Sequence, residues 1–274
     1  MNLNGKIALI TGGGQGIGSA IAQRFVADGA RICITGRSQA KLDAIAGALP
    51  SELATTCAGD VSKDEDATRM VETTVKFGGR IDIVVNNAAI DPGGSVVKLD
   101  PKLWREVIET NLTGPFLLMK AAIPFMIKNG GGSIINIGSG AGIRAMANHS
   151  AYCTSKAALI MLSQQAAIDY GPQKVRVNAI CPGVVKTPMA EKDLGEIAKI
   201  IGMDNASFFD MIAKVTPLQR FAEPMEMGGI CTFLASDDSS FITGAAIAVD
   251  AGTTVVDVIG AEIMGTLRRH YEQR

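Results

Sequence analysis

Short apolar runs rich in β-branched residues alternate with helical patterns along this chain, and this alternation constrains the fold more than any other feature. Several of these runs are apolar almost throughout, which is typical of strands that helices cover on both faces. A repeated strand–helix alternation favours a parallel, doubly wound sheet. We therefore predict an α/β fold with about seven parallel strands and with helices on both faces of the sheet.

The predicted elements follow one another without a proline-rich or glycine–serine linker, so we predict one domain that covers residues 1–254. The strand pattern covers residues 6–11, 31–35, 53–60, 81–88, 132–139, 174–183 and 245–252. The helical pattern covers roughly residues 17–28, 39–48, 63–77, 101–129, 153–170 and 224–235.

Composition argues against several classes of function. The 274 residues carry a net charge of −1, which gives no electrostatic footprint for nucleic acid or for an anionic membrane. The N-terminal sequence lacks the pattern of a secretory signal, and no apolar run reaches the ~18 residues that a membrane span needs. The five cysteines are widely spaced without a CxxC pair, and there are two histidines. We therefore predict free thiols, a cytoplasmic location and no metal, with a carboxylate-only magnesium site left open.

Residues 184–223 break the alternation. This segment follows a predicted strand and carries Pro188, Pro217 and several short helical pieces. A long insertion at the carboxyl end of a strand suits a lid over a pocket. We predict a lid, and a pair of ordinary surface helices is the alternative.

The sequence TGGGQGIG at 11–18 joins the first predicted strand to the first predicted helix. Glycines permit a tight turn, the close approach of a pyrophosphate and close packing of the helix on the strand. The phosphates would lie at a helix N-terminus, where free N–H groups favour anions. We predict dinucleotide contacts at Gly12, Gly16, Ile17 and Gly18. The spacing differs from the commoner G-x-G-x-x-G pattern, and a purely structural turn is the alternative.

The residues after the second predicted strand bear on the choice between NADP(H) and NAD(H). A carboxylate there would bind the ribose 2′-hydroxyl of NAD(H), whereas an arginine suits the 2′-phosphate of NADP(H). Gly36 and Arg37 supply no acid and one base, which favours NADP(H). Gln15 adds no second positive charge in the glycine loop, so NAD(H) remains the alternative cofactor.

Tyr152 and Lys156 lie four residues apart in a predicted helix and therefore share one helix face. A tyrosine phenol has an ordinary pKa of about 10, and a neighbouring ammonium favours the phenolate. We predict that Lys156 lowers the pKa of Tyr152, by roughly 2 units, into the range of a working base. Ser139, at the carboxyl end of the fifth predicted strand, would donate its hydroxyl to the same substrate oxygen.

The chain resembles the short-chain dehydrogenase/reductase family, the branch of about 250 residues, over residues 5 to about 254. Its motifs occur in the family's order: TGGGQGIG, Asp60–Val61, NNAA at 86–89, Asn111 in ETNLTGPF, Ser139 in NIGSG, YCTSK at 152–156 and PGVVKT at 182–187. Ala89 stands where the family usually has glycine. The resemblance implies a single-domain Rossmann-type fold and an oxidoreductase. Together with Arg37 and the stretches predicted to line the pocket, it predicts hydride transfer between NADP(H) and a modestly sized secondary alcohol or ketone.

The resemblance also implies contacts with the cofactor. Asp60 and Val61 would contact the adenine, and Asn87 and Ala88 would lie beside the cofactor. Thr187 would contact the carboxamide end of the nicotinamide.

The same resemblance implies a catalytic set of Asn111, Ser139, Tyr152 and Lys156, in which Lys156 also holds the nicotinamide ribose. Each residue has a structural alternative. Tyr152 would be an amphipathic helix residue, Lys156 a solvated charge, Ser139 a turn cap, and Asn111 a partner for backbone groups.

Three stretches are predicted to line the substrate pocket: residues 91–97, residues 140–149 and the predicted lid. Their polar side chains include Asp91, Arg144 and His149. Arg144 would anchor a carboxylate or phosphate, and an arginine that points to solvent is the alternative.

Two further predictions concern assembly and the C-terminus. The helical stretches 101–129 and 153–170 are apolar on more than one face, and in the resembled family these helices form a four-helix interface, usually in a homotetramer. Residues 255–274 exceed the family's usual end. We predict a helix there that packs on a neighbouring subunit or covers a pocket mouth, with a solvated tail as the alternative.

Two other functions compete with the oxidoreductase. One is a non-catalytic, cofactor-binding homologue that serves as a sensor or a partner subunit, and the other is a lyase or epimerase on a related fold. The intact catalytic set argues against the first. The chain has little room for the longer substrate domain that the second usually carries.

Overall fold

One sheet of seven parallel strands forms the centre of the chain in the computed structural model, which describes residues 2–257. The strands are β1 (Ile7–Thr11), β2 (Arg31–Gly36), β3 (Ala54–Ala58), β4 (Ile83–Asn86), β5 (Gly132–Ile137), β6 (Val175–Pro182) and β7 (Ala246–Val249). Their order in the sheet is β3–β2–β1–β4–β5–β6–β7. The predicted α/β class with seven parallel strands is confirmed.

Helices cover both faces of this sheet, as predicted for a doubly wound fold. They are α1 (Gly16–Ala27), α2 (Gln39–Ala46), α3 (Asp64–Gly78), α4 (Pro101–Ile108), α5 (Gly114–Lys128), α6 (Gly140–Ile143), α7 (Ser150–Tyr170), α8 (Pro188–Ile200), α9 (Asn205–Lys214) and α10 (Pro224–Ala235). Helices α1, α2 and α10 contribute to the core on one face, and α3, α5 and α7 contribute to the core on the other.

The apolar strand runs are explained by these two cores. Successive side chains of a strand point to opposite faces. In β1, Ile10 joins the core that contains Phe25 of α1, whereas Leu9 joins the core that contains Met70 of α3. All four side chains are fully buried, and each large apolar side chain contributes about 1.5–3 kcal/mol through its burial.

Successive strands are added to one side of β1 up to β3 and to the other side from β4 onward, and the site lies at this switch between β1 and β4. Strands β2 and β3 lie on one side of β1, and β4 to β7 lie on the other. In such sheets ligands bind in the crevice outside the carboxyl ends of the strands at this point. The glycine loop follows β1, the NNAA sequence begins in β4, and Ser139 follows β5.

The helix predicted over 101–129 is interrupted by a π-helical segment at Glu109–Thr113, which contains Asn111. Pro115 has no N–H to donate to the carbonyl of Asn111, so the ordinary helical ladder cannot continue there. Gly114 also lies close to Val61, since a Cβ on Gly114 would stand 2.9 Å from Val61 Cγ2.

The segment predicted as a lid contains α8 and α9. Its two ends meet at its base, where the backbone N–H of Lys186 donates to the carbonyl of Ala222 over 2.9 Å. Phe208 of α9 is buried, and the ring of its neighbour Phe209 packs edge-on against Phe221 at 5.8 Å between ring centroids. The function of this segment as a lid remains a prediction.

The predicted C-terminal extension falls almost entirely outside the described residues, because residues 258–274 are not among them. Within residues 2–257, no helix has the length and apolar character needed to cross a membrane.

Candidate active site

The loop between β1 and α1 has a shape that only glycine allows. Gly12 and Gly16 adopt left-handed backbone angles, with φ of +65° and +56°. A Cβ on Gly18 would stand 2.2 Å from the carbonyl oxygen of Gly12, and a Cβ on Gly12 would stand 2.7 Å from Asn87 Nδ2. The α1 N-terminus receives no side-chain cap from Gln15. This cradle and its uncapped N–H groups fit a pyrophosphate.

Asn87 and Ala88 are held beside this cradle by the end of β1. Their backbone N–H groups both donate to Thr11 Oγ1 over 3.0 Å, and Asn87 Nδ2 donates to the Thr11 carbonyl over 2.8 Å. Thr187 approaches from the other side, since a Cβ on Gly16 would stand 3.3 Å from Thr187 Cγ2. The structure therefore brings these predicted cofactor contacts together.

The residues predicted to meet the adenosine lie at the ends of β2 and β3. The N–H of Gly59 donates to the carbonyl of Gly36 over 3.0 Å. This hydrogen bond joins the segment that leads into Arg37 to the segment that leads into Asp60. Asp60 Oδ1 accepts hydrogen bonds from the N–H and the hydroxyl of Ser62 at 3.0 and 2.8 Å. Val61 is buried and Arg37 is exposed.

Lys41 is a residue that the sequence reasoning missed. Its Nζ donates to Gln15 Oε1 over 2.6 Å, so it carries a positive charge to the glycine loop from α2. The loop sequence itself contains no base, which is why the charge was not expected there. The available signal was the spacing of four residues between Arg37, which precedes α2, and Lys41, which lies in its first turn.

Tyr152, Lys156 and Ser139 come together beyond the end of β5. The Lys156 side chain is 2% exposed, and its Nζ donates to the carbonyl of Ile137 over 2.7 Å. The same Nζ lies 5.6 Å from the centroid of the Tyr152 ring. Ser139 caps α6 by accepting from the N–H of Ala141 at 3.1 Å, and its side chain is also a hydrogen-bond partner of Tyr152.

The prediction that Lys156 lowers the pKa of Tyr152 is wrong for this structure. Burial raises the pKa of Tyr152 to about 12, against a smaller lowering by the hydrogen bond with Ser139. The negative charge of Asp91 raises it further. Lys156 is itself desolvated, and burial lowers its pKa to about 8, opposed by Cys181 and Asp91. Burial of both groups, which spacing along a helix does not reveal, decides these directions.

Both ends of the Asn111 amide form hydrogen bonds with residues other than Tyr152. Its Oδ1 accepts from the N–H of Ile90, and its Nδ2 donates to the Ile90 carbonyl, each over 2.9 Å. Nδ2 also lies 3.2 Å from Ser155 Oγ. Asn111 therefore fixes the chain after β4 and touches the residue next to Lys156.

Two more positions shape the site. Gly142 was not predicted, yet a Cβ on Gly142 would stand 2.8 Å from the backbone carbon of Lys156, so α6 packs directly on α7. Arg144 is exposed and donates to the carbonyl of Val256 over 3.2 Å. Across residues 2–257, no group of three or more His, Cys, Asp or Glu side chains could hold a metal ion.

The sheet order, with the glycine cradle at the point where the order of the parallel strands reverses, is that of a Rossmann-type fold that binds dinucleotides. Comparison with known proteins gives the family. A family model described as enoyl-(acyl carrier protein) reductase matches residues 12–254. The chain belongs to the short-chain dehydrogenase/reductase family, whose members use NAD(H) or NADP(H), and it is an oxidoreductase that acts on CH–OH or C=O groups.

Three similar proteins illustrate this relationship. The chain is 36% identical over 256 residues to human dehydrogenase/reductase SDR family member 4, covering 92% of this chain and 88% of that protein. It is 39% identical over 260 residues to trans-4-hydroxycyclohexanecarboxylate dehydrogenase of Sinomonas cyclohexanicum, with 91% and 93% covered. The crystal structure of levodione reductase superposes with a TM-score of 0.87 at 29% identity, covering 92% of this chain and 99% of that one.

Proposed function

We propose that this protein transfers a hydride between NADP(H) and a secondary alcohol or ketone, with Tyr152 as the general acid and base. The observation that carries this proposal is the cluster of Tyr152, Ser139 and Lys156 at the end of β5, at the same edge of the sheet as the glycine cradle. Relatives named for a hydroxycyclohexanecarboxylate and for levodione support a small alcohol or ketone as the substrate class.

Each residue of the cluster has a task in ketone reduction. A raised pKa keeps the Tyr152 phenol protonated at neutral pH, so it can donate that proton to the carbonyl oxygen. Ser139, the hydrogen-bond partner of Tyr152, stabilises the developing negative charge on the same oxygen. Asn111 supports the cluster by fixing the chain at Ile90 and by contacting Ser155.

In the direction of alcohol oxidation, Tyr152 must first lose its proton. The hydrogen bond with Ser139 favours the phenolate, although it does not offset burial. A nicotinamide cofactor, when bound in its oxidised form, would supply the hydride acceptor, and its positive charge would favour the Tyr152 phenolate further. Lys156, held by the Ile137 carbonyl next to the Tyr152 ring, would bind the ribose hydroxyls.

The residues around the cradle would hold the cofactor. Gly12, Gly16, Ile17 and Gly18 would bind the pyrophosphate at the N-terminus of α1. Asp60 and Val61 would hold the adenine, Asn87 and Ala88 would border the cofactor, and Thr187 would meet the carboxamide.

The preference for NADP(H) is supported by two cations. Arg37 follows β2 and is exposed, and Lys41 reaches Gln15 in the glycine loop. Neither Gly36 nor its neighbour Arg37 offers a carboxylate to a ribose 2′-hydroxyl. A 2′-phosphate between Arg37 and Lys41 would be bound by both charges.

The test is to follow NADPH and NADH absorbance with a panel of ketones, using wild type, Tyr152→Phe and the double variant Arg37→Ala with Lys41→Ala. We expect NADPH-preferring turnover that Tyr152→Phe abolishes. The double variant should raise KM for NADPH by about 10-fold or more, as expected for lost charged hydrogen bonds, and leave KM for NADH nearly unchanged. Tight cofactor binding without turnover of any ketone would favour the non-catalytic homologue.

We also propose a homotetramer in the cytoplasm. Helices α5 and α7 expose large apolar side chains that an interface would cover: Phe116, Phe125, Met161 and Ile168. The five cysteines are free thiols, which suits a reducing compartment. Light scattering after gel filtration tests the assembly, and a monomer at micromolar concentration would contradict it.

A further inference from the structure

Asp91 and His149 form a polar pair beside the catalytic cluster. His149 Nδ1 lies 2.8 Å from Asp91 Oδ2, and both side chains are partly buried. His149 is the residue that immediately precedes α7, and Tyr152 and Lys156 lie in the first two turns of that helix. None of the steps proposed above uses this pair.

The backbone around the pair is tightly fixed. Asn111 holds Ile90, the residue before Asp91, with two hydrogen bonds of 2.9 Å. The other Asp91 oxygen, Oδ1, accepts from the N–H of Gly93 at 3.1 Å. The hydroxyl of Ser150, next to His149, donates to the carbonyl of Gly94 over 2.8 Å. These hydrogen bonds hold the backbone on both sides of the pair, so the Asp91 and His149 side chains keep one orientation toward each other.

This arrangement leaves one ring nitrogen of His149 for another partner. A carboxylate oxygen accepts hydrogen bonds, so the tautomer of His149 that carries its proton on Nδ1 fits the contact with Asp91 Oδ2. Within residues 2–257 the structure records no hydrogen bond to the opposite nitrogen, Nε2. In the neutral imidazole this Nε2 is an acceptor, which suits a hydroxyl group.

The charges around the pair favour a neutral ligand. Asp193 of α8 lies within electrostatic range of Asp91, because burial and then the charge of Asp91 raise the pKa of Asp193, against a smaller lowering by Lys192. Two carboxylates near one histidine would repel an anionic substrate. Arg144, the candidate anchor for an anion, instead donates to the carbonyl of Val256.

We infer that the Asp91–His149 pair binds a second hydroxyl of the substrate, close to the reacting carbon, so that the enzyme selects neutral hydroxyketones and diols over simple ketones and alcohols. This inference rests on the proposed function and names its substrate class. Asp91 acts as a positioning residue, and His149 contacts the substrate.

The test compares ketones that differ by one hydroxyl: acetone with hydroxyacetone, and cyclohexanone with α-hydroxycyclohexanone. The selectivity is the ratio of kcat/KM for the hydroxyketone to that for the simple ketone, measured with NADPH. We expect wild type to show a ratio of about 10 or more in at least one pair, as a hydrogen bond of ordinary strength would give.

Variants then assign this selectivity to the pair. His149→Phe keeps a ring and removes both nitrogens, so the ratio should fall to about 1. His149→Gln, which keeps an amide able to accept, should restore part of the ratio. Asp91→Asn should lower it, whereas Asp238→Asn, the same change at an exposed site, should not.

The outcomes separate this inference from the proposed function. Reduction of simple ketones without preference for hydroxyketones, or an undiminished ratio in His149→Phe, would overturn the inference alone. If wild type binds NADPH yet reduces none of the four ketones, the proposed function fails and the inference fails with it. Thermal unfolding and NADPH binding show that each variant is folded, and His149→Gln provides the comparison if His149→Phe is not.

Discussion

Replacing Lys156 with methionine should stabilise the folded protein at neutral pH while it removes the activity. Burial lowers the pKa of Lys156 from 10.5 to about 8. At about 1.4 kcal/mol per pH unit, folding with this ammonium charged costs about 3 kcal/mol. Methionine removes that cost but leaves the Ile137 carbonyl without its donor, which costs about 1 kcal/mol. The expected net gain at pH 7 is therefore about 2 kcal/mol.

The sign of the pH dependence follows from the same depressed pKa. Between pH 8 and 10.5 the unfolded lysine binds more protons than the folded one, so wild-type stability rises with pH in that window. The advantage of Lys156→Met should shrink by about 2 kcal/mol between pH 7 and pH 9.5.

Urea unfolding at the two pH values, without cofactor, measures this difference. Lys199→Met, at an exposed position of α8, is the matched control and should change stability by no more than about 0.5 kcal/mol at either pH. A Lys156→Met variant that is less stable than wild type at pH 7, or whose stability advantage does not depend on pH, would contradict the lowered pKa of Lys156 in the folded protein.

Three further predictions concern the site. Ser139→Ala should lower kcat for ketone reduction by about 100-fold, because it removes a donor to the developing oxyanion; a loss below about threefold would contradict this role. The rate of alcohol oxidation should rise with pH from 7 to 9 while the rate of ketone reduction stays level, because the raised pKa of Tyr152 keeps the phenol protonated over this range. A flat pH profile for oxidation in steady-state assays would argue against Tyr152 as the base. Gly18→Ala should weaken NADPH binding and lower the melting temperature, since the new Cβ would stand 2.2 Å from the Gly12 carbonyl oxygen. Calorimetry that finds the NADPH affinity and the melting temperature unchanged would contradict the geometry of the cradle.

The fold was predictable from sequence because its main signals are local. Each strand of the sheet overlaps a strand predicted from the sequence, and the glycine loop indicates the turn between β1 and α1. The break at Asn111 was not predicted as a π-helical segment. It depends on the missing N–H of Pro115 and on the contact between Gly114 and Val61, which lie far apart in sequence.

The candidate site was predictable in its members and less so in its electrostatics. Spacing placed Tyr152 and Lys156 on one side of a helix, but the sign of the change in the Tyr152 pKa follows from burial by surrounding elements. The hydrogen bond from Lys41 to Gln15 joins α2 to the glycine loop across 26 positions. The Asp91–His149 pair likewise joins two loops through the tertiary fold.

The role of Tyr152 in hydride transfer can be tested by following an isotope. NADPH that carries deuterium at both hydrogen positions of C4 of the nicotinamide is incubated with a ketone substrate and either wild type or Tyr152→Phe. We predict deuterium on the new carbinol carbon with wild type, and a rate about 100-fold to 10,000-fold lower with Tyr152→Phe at unchanged NADPH affinity, the range that general acid catalysis supplies. Label that stays on the cofactor while product forms, or a Tyr152→Phe rate within a few-fold of wild type, would contradict the account.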